Sequence, residues 1–172
     1  MAGSANAEPA SSSHPIMSIG SVRAAMKIDA DISFGATRAV MRWILAAFFV
    51  AAGVAHVTVP DILLKITPDW VPFPRAVIFG TGLFEFAASA ALVTKPLRSW
   101  AGIALAVYAV CVWPANIKQA IDGIIVPHIP DSWWYHGPRL AFQPVIIWWA
   151  LFSAGVIDWP WRAKLRTLKD AD

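Results

Sequence analysis

Four stretches of the chain, residues 37–57, 76–93, 100–120 and 140–156, are almost continuously apolar and are separated by short segments rich in charges and prolines. Each is about twenty residues long, or roughly 30 Å as a helix, which matches the hydrocarbon thickness of a bilayer. Charged side chains are scarce inside them, so the pattern predicts membrane-crossing helices instead of the buried helices of a soluble domain. The expected fold is all-α: a four-helix transmembrane bundle over residues 37–158. Before it stands a disordered cytoplasmic arm (1–36), and after it a basic cytoplasmic tail (159–172).

The connecting segments differ in character. Between the first two stretches, VTVPDILLKITPDWVPFP combines four prolines with Ile62, Leu63, Leu64 and Ile66. It predicts a short amphipathic turn in the membrane interface, followed by a proline-stiffened run into the second helix. The second connection, TKPLRS, predicts a tight hairpin. The third, residues 122–138, is rich in Pro, Trp and His, and with the first it is expected to roof one end of the bundle.

Composition agrees with this pattern. Of 172 residues, 58% are hydrophobic and only 15% charged, and the mean hydropathy is +0.56, outside the range of ordinary soluble domains. The net charge of +3 comes from basic residues that flank the apolar stretches and form no stripe, so nucleic acid is not an expected partner. Arg23, Lys27, Arg38, Arg42, Lys95, Arg98, Arg162, Lys164, Arg166 and Lys169 fall on the side of the termini and the second connection. Lys65, Arg75, Lys118 and Arg139 fall opposite. The positive-inside rule then predicts a multi-pass protein of the cell membrane with both termini in the cytoplasm.

Ten tryptophans fit an interfacial belt. Trp43, Trp100, Trp159 and Trp161 are expected at the cytoplasmic boundary, and Trp70, Trp133 and Trp134 at the other. Trp113, Trp148 and Trp149 lie deeper, where each indole N–H needs an acceptor. Small residues, among them Gly53, Gly80, Gly82, Gly102 and Ala106, offer surfaces for close helix approach. Cys111 is the single cysteine, which excludes an internal disulfide and a CxxC redox motif.

Glu85 is the only ionisable residue in 76–93, and a carboxyl at that depth requires a partner or a function. A rise of about 1.5 Å per residue places Glu85 and Tyr108 near the midplane, Gln143 about 7 Å outward, Asn116 about 10 Å, and His56 and Arg139 about 12 Å. Thr81 lies one turn above Glu85. The opposite half offers only Ser89, Ser153 and Arg42, whose side chain is expected to reach the cytoplasmic headgroups. This asymmetry predicts a pocket open to the outer side and lined by His56, Thr81, Glu85, Tyr108, Asn116, Arg139 and Gln143. The bundle-locking alternatives are a Glu85–Tyr108 hydrogen bond, Asn116 satisfying carbonyls released by Pro114, Gln143 bonding between helices, Arg139 reaching lipid phosphates and His56 anchoring its helix end. His128, His136, Asp122 and Asp131 match no standard metal spacing, and no metal site is assigned.

The segments GVAHVTVPDILLKITPDWVPFP, GTGLFEF, WPANIKQA and RLAFQPVIIWW, spread over Gly53 to Trp149, resemble the DoxX-like family of small four-helix membrane proteins. That resemblance implies a membrane subunit or accessory of an oxidoreductase system, with His56, Glu85, Asn116, Arg139 and Gln143 as recurring polar positions. It makes a quinone or another amphipathic small molecule the candidate ligand, with no intrinsic cofactor and with catalytic activity left open. The alternative is a non-enzymatic scaffold or assembly factor for a partner membrane protein. A transporter is disfavoured by the apolar inner half.

Overall fold

The computed structural model describes residues 18–125, 130 and 132–160, with side chains described for these apart from 23–33. Two compact units divide the chain, Met1–Gly35 and Ala36–Asp172. Among the described residues the fold is all-helical, with α1 (Ile19–Thr58), α2 (Pro60–Ile66), α3 (Pro74–Val93), α4 (Arg98–Ile121) and α5 (Trp133–Ser153).

Helix α1 begins at Ile19, within the stretch expected to lack regular structure through residue 36. The local chemistry explains this. The Ser18 hydroxyl accepts from the amide of Ser21 at 3.2 Å, a helix N-cap contact. No proline interrupts the sequence between Pro15 and Pro60. Residues 1–17 and the basic tail from 161 onward, including Trp161, lie outside the described residues.

Among the described residues three helical segments are long and apolar enough to cross a membrane: Phe34–Thr58, Pro74–Val93 and Arg98–Ile121. They mark a membrane protein. The fourth stretch, expected at 140–156, lies in a helix that starts earlier and ends earlier, Trp133–Ser153. Its start is set by Ser132, whose hydroxyl accepts from the Trp134 amide at 3.3 Å. Its first half carries His136, Pro138, Arg139 and Gln143, and it is not among those three segments.

Prolines punctuate the first connection. Pro60 and Pro74 stand in the first turns of α2 and α3, where the missing N–H has no helical partner to lose. The expected amphipathic turn is the seven-residue helix α2, which buries Ile66 and exposes Asp61 and Lys65. The hairpin between α3 and α4 is a turn over residues 94–97.

The apolar core draws Leu45 and Phe49 from α1, Leu92 from α3, Leu105 from α4 and Ala150 from α5. In lipid such packing rests on close contact and hydrogen bonds, because lipid tails are as apolar as leucine. Gly102 shows how close that contact is. A Cβ there would stand 2.2 Å from Cβ of Ala154 and 2.9 Å from the Ala150 carbonyl oxygen, so α4 and α5 meet backbone to backbone. Gly53 and Gly82 do the same for α1 and α3, whereas Gly80, expected in the same role, has no atom within 4 Å of its Cβ position.

Two of the deeper indoles find carbonyl partners: Trp149 donates to Met41 at 3.0 Å and Trp148 to Trp159 at 3.1 Å. Trp113 is half-buried. Trp43, Trp100, Trp159, Trp70, Trp133 and Trp134 are exposed, as an interfacial belt requires. Arg42 differs from its expected reach to headgroups. It is 8% exposed and donates to the Ser153 carbonyl at 3.1 Å. Arg38 donates to the Ile157 carbonyl and to Asp158. Arg42 thus meets the carbonyl end of α5, where the helix dipole favours positive charge, and Arg38 meets the segment that follows it.

Candidate functional site

The crossing of α1 and α3 determines where the first group of polar residues sits. With hydrogen in place of a side chain at Gly53 and Gly82, the helices approach so closely that a Cβ on Gly82 would lie 2.8 Å from Cβ of His56. His56 is thereby pressed against α3 one turn from Glu85. Its Nδ1 lies 2.9 Å from the Ala52 carbonyl oxygen and 3.0 Å from Oε2 of Glu85. A carbonyl can only accept, so Nδ1 carries the hydrogen and directs it at Ala52. Oε2 is therefore close to the imidazole yet receives no aligned hydrogen bond of its own.

Glu85 is 2% exposed, and its other oxygen, Oε1, accepts from the Tyr108 hydroxyl of α4 at 2.7 Å. Ser89, one turn further along α3, donates to the Glu85 backbone carbonyl at 2.7 Å. Thr81 donates to the Ile78 carbonyl at 2.8 Å, which leaves its oxygen lone pairs as acceptors. Phe49 and Phe84 stand on either side of Tyr108, with ring centroids 6.2 and 5.2 Å away. The phenol is positioned by packing as well as by the carboxyl.

A second group forms between α4 and α5. Arg139 donates through Nη1 to Oε1 of Gln119 in a very short contact and through Nη2 to Oδ1 of Asn116 at 2.6 Å. Its guanidinium lies 6.0 Å from the centre of the Tyr135 ring. Among the described residues it has no carboxylate partner; the carboxylates near basic side chains are Asp158 beside Arg38, Glu85 beside His56, Asp61 beside Arg75, and Asp69 and Asp122 beside Lys118. Two neutral amides orient the cation without cancelling its charge. Gln143, one turn along, donates to the Ala109 carbonyl at 2.8 Å.

Both groups line one cavity of about 470 Å³. All seven residues singled out from the sequence, His56, Thr81, Glu85, Tyr108, Asn116, Arg139 and Gln143, contribute to its wall. The remaining surface is largely apolar, supplied by residues such as Phe48, Phe49, Ile78, Phe142 and Ile146, with Leu63 and Ile66 of α2 closing one side. Such a space suits a molecule with a polar head and an apolar body.

The bundle-locking alternatives divide. The Glu85–Tyr108 bond exists. Asn116 is spent on Arg139, not on a carbonyl near Pro114, and Arg139 turns into the bundle instead of toward a lipid surface. His56 bonds within its own helix as well as facing Glu85.

Sequence reasoning missed Gln119, which is 2% exposed and holds Arg139. The signal was present: Gln119 is three residues from Asn116, hence on the same helical face. Tyr135, another lining residue, was hidden in a segment read as loop. Of the residues weighed for a metal, His136 lies within α5 and is 3% exposed, Asp122 pairs with Lys118, and His128 and Asp131 lie outside the described residues.

No curated protein and no solved structure matches the chain. One family model does, over residues 45–154, a span that holds every residue lining the cavity. By this match to well over half its length, the chain belongs to the family described as domain of unknown function DUF8561.

Proposed function

We propose that this is a four-helix transmembrane protein of the DoxX-like type, a membrane subunit or accessory of an oxidoreductase system. Its cavity opens to the outer side and takes the polar head of a quinone or a similar amphipathic molecule. The observation that carries the reading is the pairing of two unlike polar groups in one apolar cavity. Glu85, with His56 and Tyr108, can accept or donate a proton at one wall, while Arg139 offers a positive charge held by neutral amides at another.

Helix α5 supplies the fourth crossing. Its 21 residues suffice for the hydrocarbon thickness, and its polar residues His136 and Gln143 are buried. Polar side chains turned into a bundle are the arrangement that lipid permits. The basic residues grouped near the termini and the 94–97 turn favour a cytoplasmic location for that side. Electrons for any redox step come from a partner protein in this reading.

The test is a titration of the full chain in lipid nanodiscs with a decyl-substituted benzoquinone, followed by tryptophan fluorescence, since Trp70 lines the cavity. Saturable quenching that weakens in Arg139→Gln and Glu85→Gln supports the reading. Quenching that is linear in quinone, and identical in the variants, overturns it.

A second reading, a scaffold or assembly factor, draws on the fact that the same polar residues also make hydrogen bonds between α3, α4 and α5. It predicts that the variants lower thermal stability while no small molecule binds.

A further inference from the structure

The cavity has a neighbour. A shallow groove of about 520 Å³ runs between α3 and α4, and Gly80, Phe84, Ala104 and Val107 belong to it alone. Val77, Thr81, Tyr108 and Cys111 line both spaces, so one layer of side chains separates the polar cavity from the groove. The groove lies on the outside of the helix pair: Val77, Val107 and Cys111 are all exposed. In a membrane-crossing pair such an outer surface meets acyl chains.

The groove owes its depth to a missing side chain. Nothing lies within 4 Å of the Cβ position of Gly80, so this glycine serves no close helix contact, unlike Gly53, Gly82 and Gly102. Across from it Ala104 keeps the α4 side low. The dividing layer is also the layer that holds Glu85. Tyr108 reaches through it to Oε1, with Phe84 on the groove side in ring contact.

From these shared lining residues we propose that the groove between α3 and α4 holds the apolar tail of the molecule whose head occupies the cavity, which makes it the sideways entrance from the bilayer. This rests on the cavity being a head-binding site and adds the path and the substrate class: a head carrying a flexible hydrocarbon tail, received from within the membrane. The tail gains little from leaving lipid for the groove, because both are apolar. The groove acts by giving the tail somewhere to lie while the head passes the Val77, Thr81, Tyr108 and Cys111 layer.

The experiment uses the full chain in nanodiscs with two probes, a decyl-substituted benzoquinone and the same benzoquinone without the tail. Gly80→Leu and Ala104→Phe fill the groove from opposite sides, and at Gly80 an added Cβ has no atom within 4 Å. With the groove filled, the tail of a molecule whose head is seated in the cavity meets the added side chain, and affinity for the tailed probe should fall about tenfold or more. The tailless probe should bind both variants as it binds the unaltered chain. Equal affinities of the tailed probe for all three proteins, or equal losses for both probes, overturn the tail groove while leaving the head site standing. Failure of both probes to bind the unaltered chain removes the head site and the groove with it.

Discussion

The hydroxyl of Tyr108 lies 2.7 Å from Oε1 of Glu85 and joins α4 to α3 at a position where the carboxyl is 2% exposed. Removing the hydroxyl leaves a buried carboxyl oxygen without its partner. Tyr108→Phe should lower stability by about 1 kcal/mol, the usual worth of a hydrogen bond between helices in a membrane. Thermal unfolding of Tyr108→Phe, Glu85→Leu and the double variant checks this. The double variant should lose less than the sum of the two, and additivity within error would show that the bond contributes nothing.

The glycines separate by what surrounds them. Gly102→Ala would press a methyl against the Ala150 carbonyl as well as the Ala154 methyl, and backbone cannot step aside. Its loss should be the largest of the series, about 1–3 kcal/mol or more. Gly82→Ala meets Cβ of His56 at 2.8 Å and should lose less while disturbing the His56–Glu85 contact. Gly80→Ala has open space and should be neutral or gain about 0.5–1 kcal/mol from helix propensity. Melting temperatures in one detergent rank the three, and a Gly80→Ala loss as large as that of Gly102→Ala would contradict the packing described.

Gln119 offers a way to separate binding from bracing. Gln119→Leu strips Arg139 of one acceptor and should cost about 1.5–3 kcal/mol, the range for hydrogen bonds to charged groups. Gln119→Glu keeps the contact, gives Arg139 a carboxylate and cancels the charge presented to the cavity. Stability should hold in Gln119→Glu while quinone affinity falls. If affinity and stability change in parallel across both variants, Arg139 serves the bundle alone.

The number and direction of crossings can be read with single cysteines in a Cys111→Ser background, using a membrane-impermeant maleimide on intact cells. Asp69→Cys and Asp122→Cys should react from outside, and Lys95→Cys and Trp159→Cys only after lysis. Reaction of Trp159→Cys on the same side as Asp122→Cys would mean that α5 does not cross.

Much of the site was legible because lipid is an unforgiving solvent. Glu85 stands out in an apolar run, and a constant rise per residue orders Tyr108, Gln143, Asn116, His56 and Arg139 by depth without knowledge of the packing. What depth alone does not give is azimuth. Whether Gly80 or Gly82 faces a neighbour depends on a rotation of about 100° per residue and on which helix stands beside it. The pattern therefore assigned both glycines to packing, although Gly80 opens onto the groove. Partner choice was hidden for the same reason. Arg42 read as a residue free to reach outward, and only the position of the α5 end makes the Ser153 carbonyl its acceptor. The ends of α5 were misplaced because Trp133 to Pro138 looks like interfacial loop by composition, whereas the Ser132 cap starts a helix there.

The central claim is that one ligand head sits between Glu85 on α3 and Arg139 on α5. Photo-crosslinking tests it most directly: a benzoquinone bearing a diazirine on the ring is irradiated with the full chain in nanodiscs, and adducts are mapped by peptide mass spectrometry. The account predicts adducts on both α3 near Glu85 and α5 near Arg139, each suppressed by excess unlabelled quinone and reduced in Arg139→Gln. Adducts confined to lipid-facing residues such as Leu83 and Trp100, 70% and 74% exposed, and insensitive to competitor, would contradict it.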